Sequence, residues 1–251
     1  MDGDVMNKKS LSERDICTKF ITPALLNAGW SHNQIREEVT FTDGRIIVRK
    51  KMVTRGTKKR ADYILYYKPN IPLAIIEAKD NNHSVGAGMQ QALSYAECLD
   101  IPFVYSSNGD AFLEHDRTVD SGVKEREIQL DAFPSPEDLW KRYKQFKGIT
   151  EEEETIITQD YFYEQGGKSP RYYQRIAINR AVEAIAKGQK RLLIVMATGT
   201  GKTYVAFQIM YRLWKARVMK RILFLADRNI LVDQAMANDF RFFGDKMTKI
   251  T

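Results

Sequence analysis

The sequence is poor in the residues that build covalently stapled or metal-stapled scaffolds. Among its 251 residues are two cysteines, Cys17 and Cys98, and three histidines, His32, His83 and His115. Two thiols so far apart make neither a disulfide framework nor a zinc cluster, and they suit a reducing compartment. The histidines share no metal-ligand spacing and read as ordinary surface residues. No apolar run reaches the roughly 18 residues that a membrane-spanning helix needs. The opening Met1-Asp2-Gly3-Asp4 lacks the basic-then-apolar order of a secretory signal. A cytoplasmic protein without a membrane partner is therefore expected. Internal repeats and low-complexity tracts are absent too, while 43% hydrophobic and 28% charged residues are the shares of a folded chain. Its length suits roughly one and a half to two domains.

The charge that is present is unevenly placed. Lys and Arg number 39 against 32 Asp and Glu, a net +7. The excess gathers between Arg45 and Arg60, where Arg45, Arg49, Lys50, Lys51, Arg55, Lys58, Lys59 and Arg60 meet no acidic residue. A polyanion is the natural partner of such a stretch; a solvated flap kept soluble by its charge is the competing reading.

Hydrophobic periodicity divides the chain. Ile16, Phe20, Ile21 and Leu25 fall at helical spacing behind Ser12, a residue suited to cap the first turn, and predict a helix over 12–27. Strand-like runs follow at 38–42 and 45–48, joined by Asp43-Gly44, a hairpin signal. Another pair, 60–67 and 71–79, flanks Lys68-Pro69-Asn70. A helix over 85–99 and a strand over 103–106 that enters a turn at Asn108-Gly109 complete the first half. Polar sequence with the acidic run Glu151 to Glu154 then marks a boundary, and 151–168 reads as a linker. Beyond it come helix (174–187), apolar strand (191–196), glycine loop, helix (202–214), strand (221–226) and helix (230–240). That alternation predicts a parallel sheet covered by helices.

The first half holds one spacing with chemical content. If the strands about 69 and 70 fold back symmetrically, Asp62 stands opposite Glu77, and directly opposed Cβ atoms are about 5 Å apart. Two carboxylates at that separation can hold one hard divalent cation such as Mg²⁺. Lys79 lies two residues past Glu77 and so shares its face. A metal-activated water with a lysine beside it is an arrangement for phosphodiester hydrolysis. The bland alternative is a structural ion pair at a sheet edge, but the aliphatic run Leu73-Ala74-Ile75-Ile76 carries Glu77 into a buried setting where a charge demands partners.

These residues resemble the PD-(D/E)XK nuclease superfamily, with Ala61 in place of the proline before Asp62. The resemblance implies a mixed-sheet restriction-endonuclease-like domain with Asp62, Glu77 and Lys79 as catalytic residues and Asp62 and Glu77 as metal ligands. Gln91-Ala92-Leu93-Ser94-Tyr95 sets Gln91 and Tyr95 on one helical face. It is similar to a motif of nucleases fused to ATP-driven motors, where it holds DNA and orders the site. Glu13 is a further metal ligand by the same analogy, although a glutamate in a helical first turn is also explained by the helix dipole.

The second half holds Met196-Ala197-Thr198-Gly199-Thr200-Gly201-Lys202-Thr203 between an apolar run and a helix, the setting of a Walker A loop, with Met196 where the first glycine usually stands. Gly199, Thr200 and Gly201 would turn backbone N–H groups toward the phosphates of ATP, Lys202 adds positive charge, and the Thr203 hydroxyl can ligate a nucleotide-bound Mg²⁺. The loop resembles that of superfamily 2 helicases and translocases. By the same resemblance, Gln174 of Pro170-Arg171-Tyr172-Tyr173-Gln174 reads adenine, unless it is simply a helix-start residue, and Arg228 contacts a DNA phosphate. No Walker B sequence follows Thr203, so ATP hydrolysis is not expected of this chain alone.

The sequence is expected to form an α/β chain. A mixed-sheet endonuclease domain at 1–150 and a linker at 151–168 lead to the incomplete parallel α/β start of a RecA-like motor at 169–251. The order is similar to the R subunits of type I restriction-modification enzymes. It implies double-stranded DNA, ATP and Mg²⁺, with methyltransferase and specificity subunits as partners. A repair or anti-phage helicase-nuclease of another system, and a non-catalytic DNA-clamping ATP sensor, are the alternatives.

Overall fold

A computed structural model describes residues 7–42, 46–49, 52–55, 58–164 and 167–250. The chain divides into two compact units, Met1–Ile149 and Thr150–Thr251.

The first unit is built on a six-stranded mixed sheet in the order β1-β4-β5-β6-β7-β8. Its strands are β1 (Ile35–Thr42), β4 (Lys58–Lys68), β5 (Ile71–Ala78), β6 (Phe103–Ser107), β7 (Ala111–Asp116) and β8 (Glu125–Gln129). Only β5 and β6 run parallel, and the connection they require is helix α3 (Met89–Leu99). Every residue of β5 except Pro72 is buried, as is every residue of β6. An unbroken apolar run is what a central strand covered on both faces requires. Ahead of the sheet, α1 (Glu13–Ile16) begins in a capping box between Ser12 and Asp15. A π-helical turn (Cys17–Ile21) leads on into α2 (Thr22–Asn27). Pro23 has no N–H to return to the preceding turn, which accounts for the widened stretch before it. Helix α4 (Pro136–Lys147), also entered through a capping box, at Ser135 and Asp138, completes the unit.

The β4–β5 hairpin turns at Pro69-Asn70 in the expected register, with Tyr63 opposite Ile76 and Ile64 opposite Ile75. The β6–β7 hairpin likewise turns at Asn108-Gly109, where Gly109 takes φ +85°. The expected pairing of 38–42 with 45–48 does not occur. Instead β1 pairs with β4, and β2 (Ile46–Arg49) pairs with β3 (Met52–Arg55) in a separate two-stranded ribbon. A longer ladder outcompetes the local turn: Thr42 opposite Lys58 is followed by Ile46 opposite Arg55, one residue out of step. Asp43-Gly44, along with Arg45, Lys50 and Lys51 of the basic stretch, lies outside the described residues.

The second unit is helical in its described residues. It comprises α5 (Glu151–Ile157), α6 (Tyr172–Ala186), α7 (Lys202–Lys215), α8 (Asn229–Ala237) and a 3₁₀ stretch, Asp239–Lys246. The 151–168 segment, expected as a linker, carries α5, and its Tyr161 lies in a core with Ile178, Val182, Val205 and Leu213. A second cluster joins Phe207, Ala235 and Phe240. Arg212 is fully buried here, donating to Asn179 Oδ1 at 2.8 Å and to the Ile157 carbonyl at 2.6 Å. The strands expected at 191–196 and 221–226 are not formed. A parallel strand takes its hydrogen bonds from neighbouring strands, and among the described residues these runs have no strand paired beside them. Leu193 stands 88% exposed and Leu225 79%.

Candidate functional site

The β4–β5 register brings the predicted acids together. Continuing that register one step beyond Tyr63 and Ile76 sets Asp62, inside β4, against Glu77, near the end of β5. Asp62 is half-buried, and its Oδ2 accepts a hydrogen bond from the Ala78 N–H at 2.8 Å. Glu77 is buried; its Oε1 accepts from Gln91 Nε2 and from Lys79 Nζ, the latter at 3.4 Å. The other oxygen, Oε2, is buried with no hydrogen-bond partner. Desolvation, helped by the charge of Asp62, pushes the Glu77 carboxyl up to about 8, with Lys79 opposing. Asp62 is raised as well, chiefly by burial, against the Ala78 hydrogen bond and Lys79. Two carboxylates that both resist ionisation are a place where a cation is wanted.

Glu13 reaches the same centre from the first turn of α1. Its Oε2 is 3.8 Å from Lys79 Nζ, and desolvation raises its pKa. Among the described residues no three His, Cys, Asp or Glu side chains gather closely enough to hold a metal. Glu13 is paired with the lysine. The donor set still fits Mg²⁺, which usually takes one or two carboxylates and keeps several waters or substrate oxygens, and the orphaned Oε2 of Glu77 is the matching observation.

Helix α3 supplies Gln91 and Tyr95. Gln91 meets Glu77 directly. The Tyr95 ring lies edge-on to Phe41 at 5.1 Å between centroids, with Lys59 Nζ 5.4 Å from the ring centre. Periodicity alone did not reveal Ser106, the strand partner of Glu77, or the close approach of Gly88 to the Glu77 stem. Its one signal was the Gly86-Ala87-Gly88 run just before α3.

The glycine loop of the second unit takes the left-handed conformation at Gly199 (φ +78°) and Gly201 (φ +84°), and α7 starts at Lys202. Lys202 Nζ lies 3.3 Å from the Ala197 carbonyl and 3.5 Å from that of Met196, folded back over the loop. Thr203 is half-buried in the first turn. Gln174 is buried against this loop: its Nε2 donates to the Thr200 carbonyl at 2.8 Å, and its Oε1 accepts from the Arg171 N–H at 2.9 Å. Both ends of the amide expected to read a base are thus engaged within the unit. Arg228 precedes α8 on an exposed side chain, 4.0 Å from Asp227, and is not gathered with the loop.

The class follows from the comparisons. Residues 30–134 match the family described as "Type I restriction enzyme R protein N terminus", and residues 167–251 match "Type III restriction enzyme, res subunit", so the chain carries two consecutive pieces of restriction-enzyme subunits. More particularly, it is similar to the N-terminal part of HsdR subunits of type I restriction enzymes. It is 56% identical over 248 residues to the type I restriction enzyme EcoAI endonuclease subunit of Escherichia coli, covering 98% of this chain and 31% of that protein. It is 32% identical to the EcoKI endonuclease subunit of the same species, over 78% of this chain and 20% of that protein. A solved fragment of an HsdR subunit of a type I restriction enzyme from Vibrio vulnificus superimposes with a TM-score of 0.71 at 47% identity, covering 82% of this chain and 39% of that one. The chain thus spans about a third of the length of the first of these relatives.

Proposed function

We propose that the chain is the Mg²⁺-dependent DNA endonuclease module, together with the first ATP-binding part, of the motor subunit of a cytoplasmic type I restriction-modification enzyme. The whole subunit would cleave double-stranded DNA after ATP-driven translocation, in complex with methyltransferase and specificity subunits. The observation that carries this reading is Glu77: a buried carboxylate with one oxygen unpartnered, beside Asp62 and Lys79.

Asp62 and Glu77 would hold the ion, which supplies Lewis acidity to a water and to the scissile phosphate. Gln91 holds Glu77 Oε1 and so sets the carboxylate plane. Lys79, kept near by Glu77 and Glu13, presents positive charge where a phosphate oxygen gains negative charge. In the second unit, loop N–H groups from Gly199 to Lys202 would receive the nucleotide phosphates, and Lys202 would exchange the Met196 and Ala197 carbonyls for them. Gln174 acts here by bracing the loop through Thr200.

The test uses the full-length subunit assembled with its partners. Asp62→Ala and Lys79→Ala are each expected to abolish cleavage while ATP hydrolysis persists; cutting at the normal rate by either variant sinks the nuclease assignment. Lys202→Ala is expected to lose nucleotide binding, read by titration with a fluorescent ATP analogue, and unchanged affinity would count against the motor reading.

A further inference from the structure

Glu77 is held by more than its polar neighbours. In the parallel register of β5 and β6 its partner is Ser106, which is fully buried. Ser106 Oγ accepts a hydrogen bond from the Gly88 N–H at 3.0 Å. Gly88 is the residue from which α3 starts, and α3 has no side-chain cap of its own there. The strand hydroxyl thus engages a backbone N–H at the start of the helix. At Gly88 φ is −85°, a value open to any residue, so glycine is not required by the backbone angle. It is required by space: a Cβ would stand 3.0 Å from Glu77 Cγ, 3.1 Å from Glu77 Cβ and 3.0 Å from Ser106 Oγ. The helix start is pressed onto the stem of the carboxylate, and one turn further Gln91 reaches Glu77 Oε1.

We propose that Ser106 and Gly88 are positioning residues for the cleavage centre. Together they fix the height of α3 above Glu77, so that Gln91 occupies one carboxylate oxygen and the other stays open to the ion. The inference rests on the reading of Glu77 as a metal-holding carboxylate. It predicts that losing the Ser106 hydroxyl, or adding a methyl group at Gly88, acts on metal use through Gln91.

The experiment measures DNA cleavage by the full-length subunit in its assembled complex as a function of Mg²⁺ concentration, with the melting temperature of each variant as the check on folding and ATP hydrolysis as the check on the second unit. Ser106→Ala is expected to raise the Mg²⁺ concentration for half-maximal cleavage roughly tenfold, the size usual for partners of metal ligands, and to leave ATP hydrolysis unchanged. Gly88→Ala shifts it the same way by adding bulk, not by removing a bond, so it decides the matter should Ser106→Ala misfold. If Ser106 works through Gln91, the double variant Ser106→Ala/Gln91→Ala is no worse than Gln91→Ala alone. An unchanged metal requirement in the single variants, or losses that add in the double, overturns the positioning role. Glu77→Ala separates the two levels. If it cuts normally, the nuclease reading has failed; if it is inactive while Ser106 and Gly88 prove neutral, only the positioning inference has.

Discussion

At the scale of single residues, Glu77 is an ionisable group only 2% exposed. Its carboxyl titrates near 4.5 when unfolded and near 8 in the fold. The fold therefore prefers the protonated form: below about pH 4.5 there is no penalty, it grows as pH rises between the two values, and it is complete above about 8. At roughly 1.4 kcal/mol per pH unit the upper bound is about 5 kcal/mol. In metal-free buffer the first unit should accordingly unfold at lower temperature at pH 8 than at pH 6. Glu77→Gln should flatten that slope, and Mg²⁺ should restore stability at pH 8 to the wild type only; a scanning calorimetry series checks all three. Gly201 is constrained in another way. At φ +84°, a Cβ there would stand 2.5 Å from Gln174 Nε2. Gly201→Ala is expected to destabilise the second unit by about 1–3 kcal/mol and to weaken nucleotide binding, by denaturant melts and ATP-analogue titration.

Elements explain which of these features were legible. The candidate carboxylates were readable because a hairpin about Pro69-Asn70 has one register compatible with a buried β5, and a one-residue slip would have turned Glu77 to the other face. Helix α3 was readable from its period. The contact of Gly88 with Glu77 was not, because it depends on how closely a helix descends on a strand. Nor was the brace between β7 and α4, where Arg142 donates to Glu114 at 2.8 Å and to Asp116 at 2.6 Å, and Tyr105 also donates to Glu114, at 2.6 Å. These residues are scattered from 105 to 142, and each alone looks like a surface charge or a core aromatic. Glu114 is 1% exposed, so removing one partner leaves a buried charge less compensated. Arg142→Ala should cost about 3 kcal/mol in denaturant unfolding of the first unit, while Arg126→Ala, which removes the donor to Glu114 Oε2 from a largely exposed side chain, should cost less. The mistaken hairpin at 43–44 has the same origin in reverse: a strong local turn signal yields where a longer ladder between β1 and β4 satisfies more backbone groups.

Considering the whole molecule, the six-stranded sheet, its helices and the carboxylate site all lie within residues 1–149. A protein ending at Ile149 should fold alone with a single cooperative transition, and its far-UV circular dichroism and melting temperature check this; a molten, non-cooperative product would mean that the first unit depends on the second. In the second unit the sequence was a better guide to helices than to strands. A helix closes its hydrogen bonds within its own segment, whereas the runs at 191–196 and 221–226 owe their strand character to neighbours.

Those two runs carry a practical corollary. Leu193, Val195, Leu223 and Leu225 are all more than half exposed, on backbone whose amides are not taken up by a ladder. Such a surface is adhesive. At high protein concentration the isolated polypeptide should form soluble clusters that scatter light and brighten a hydrophobic dye, and charged replacements at Leu193 and Leu225 should disperse them.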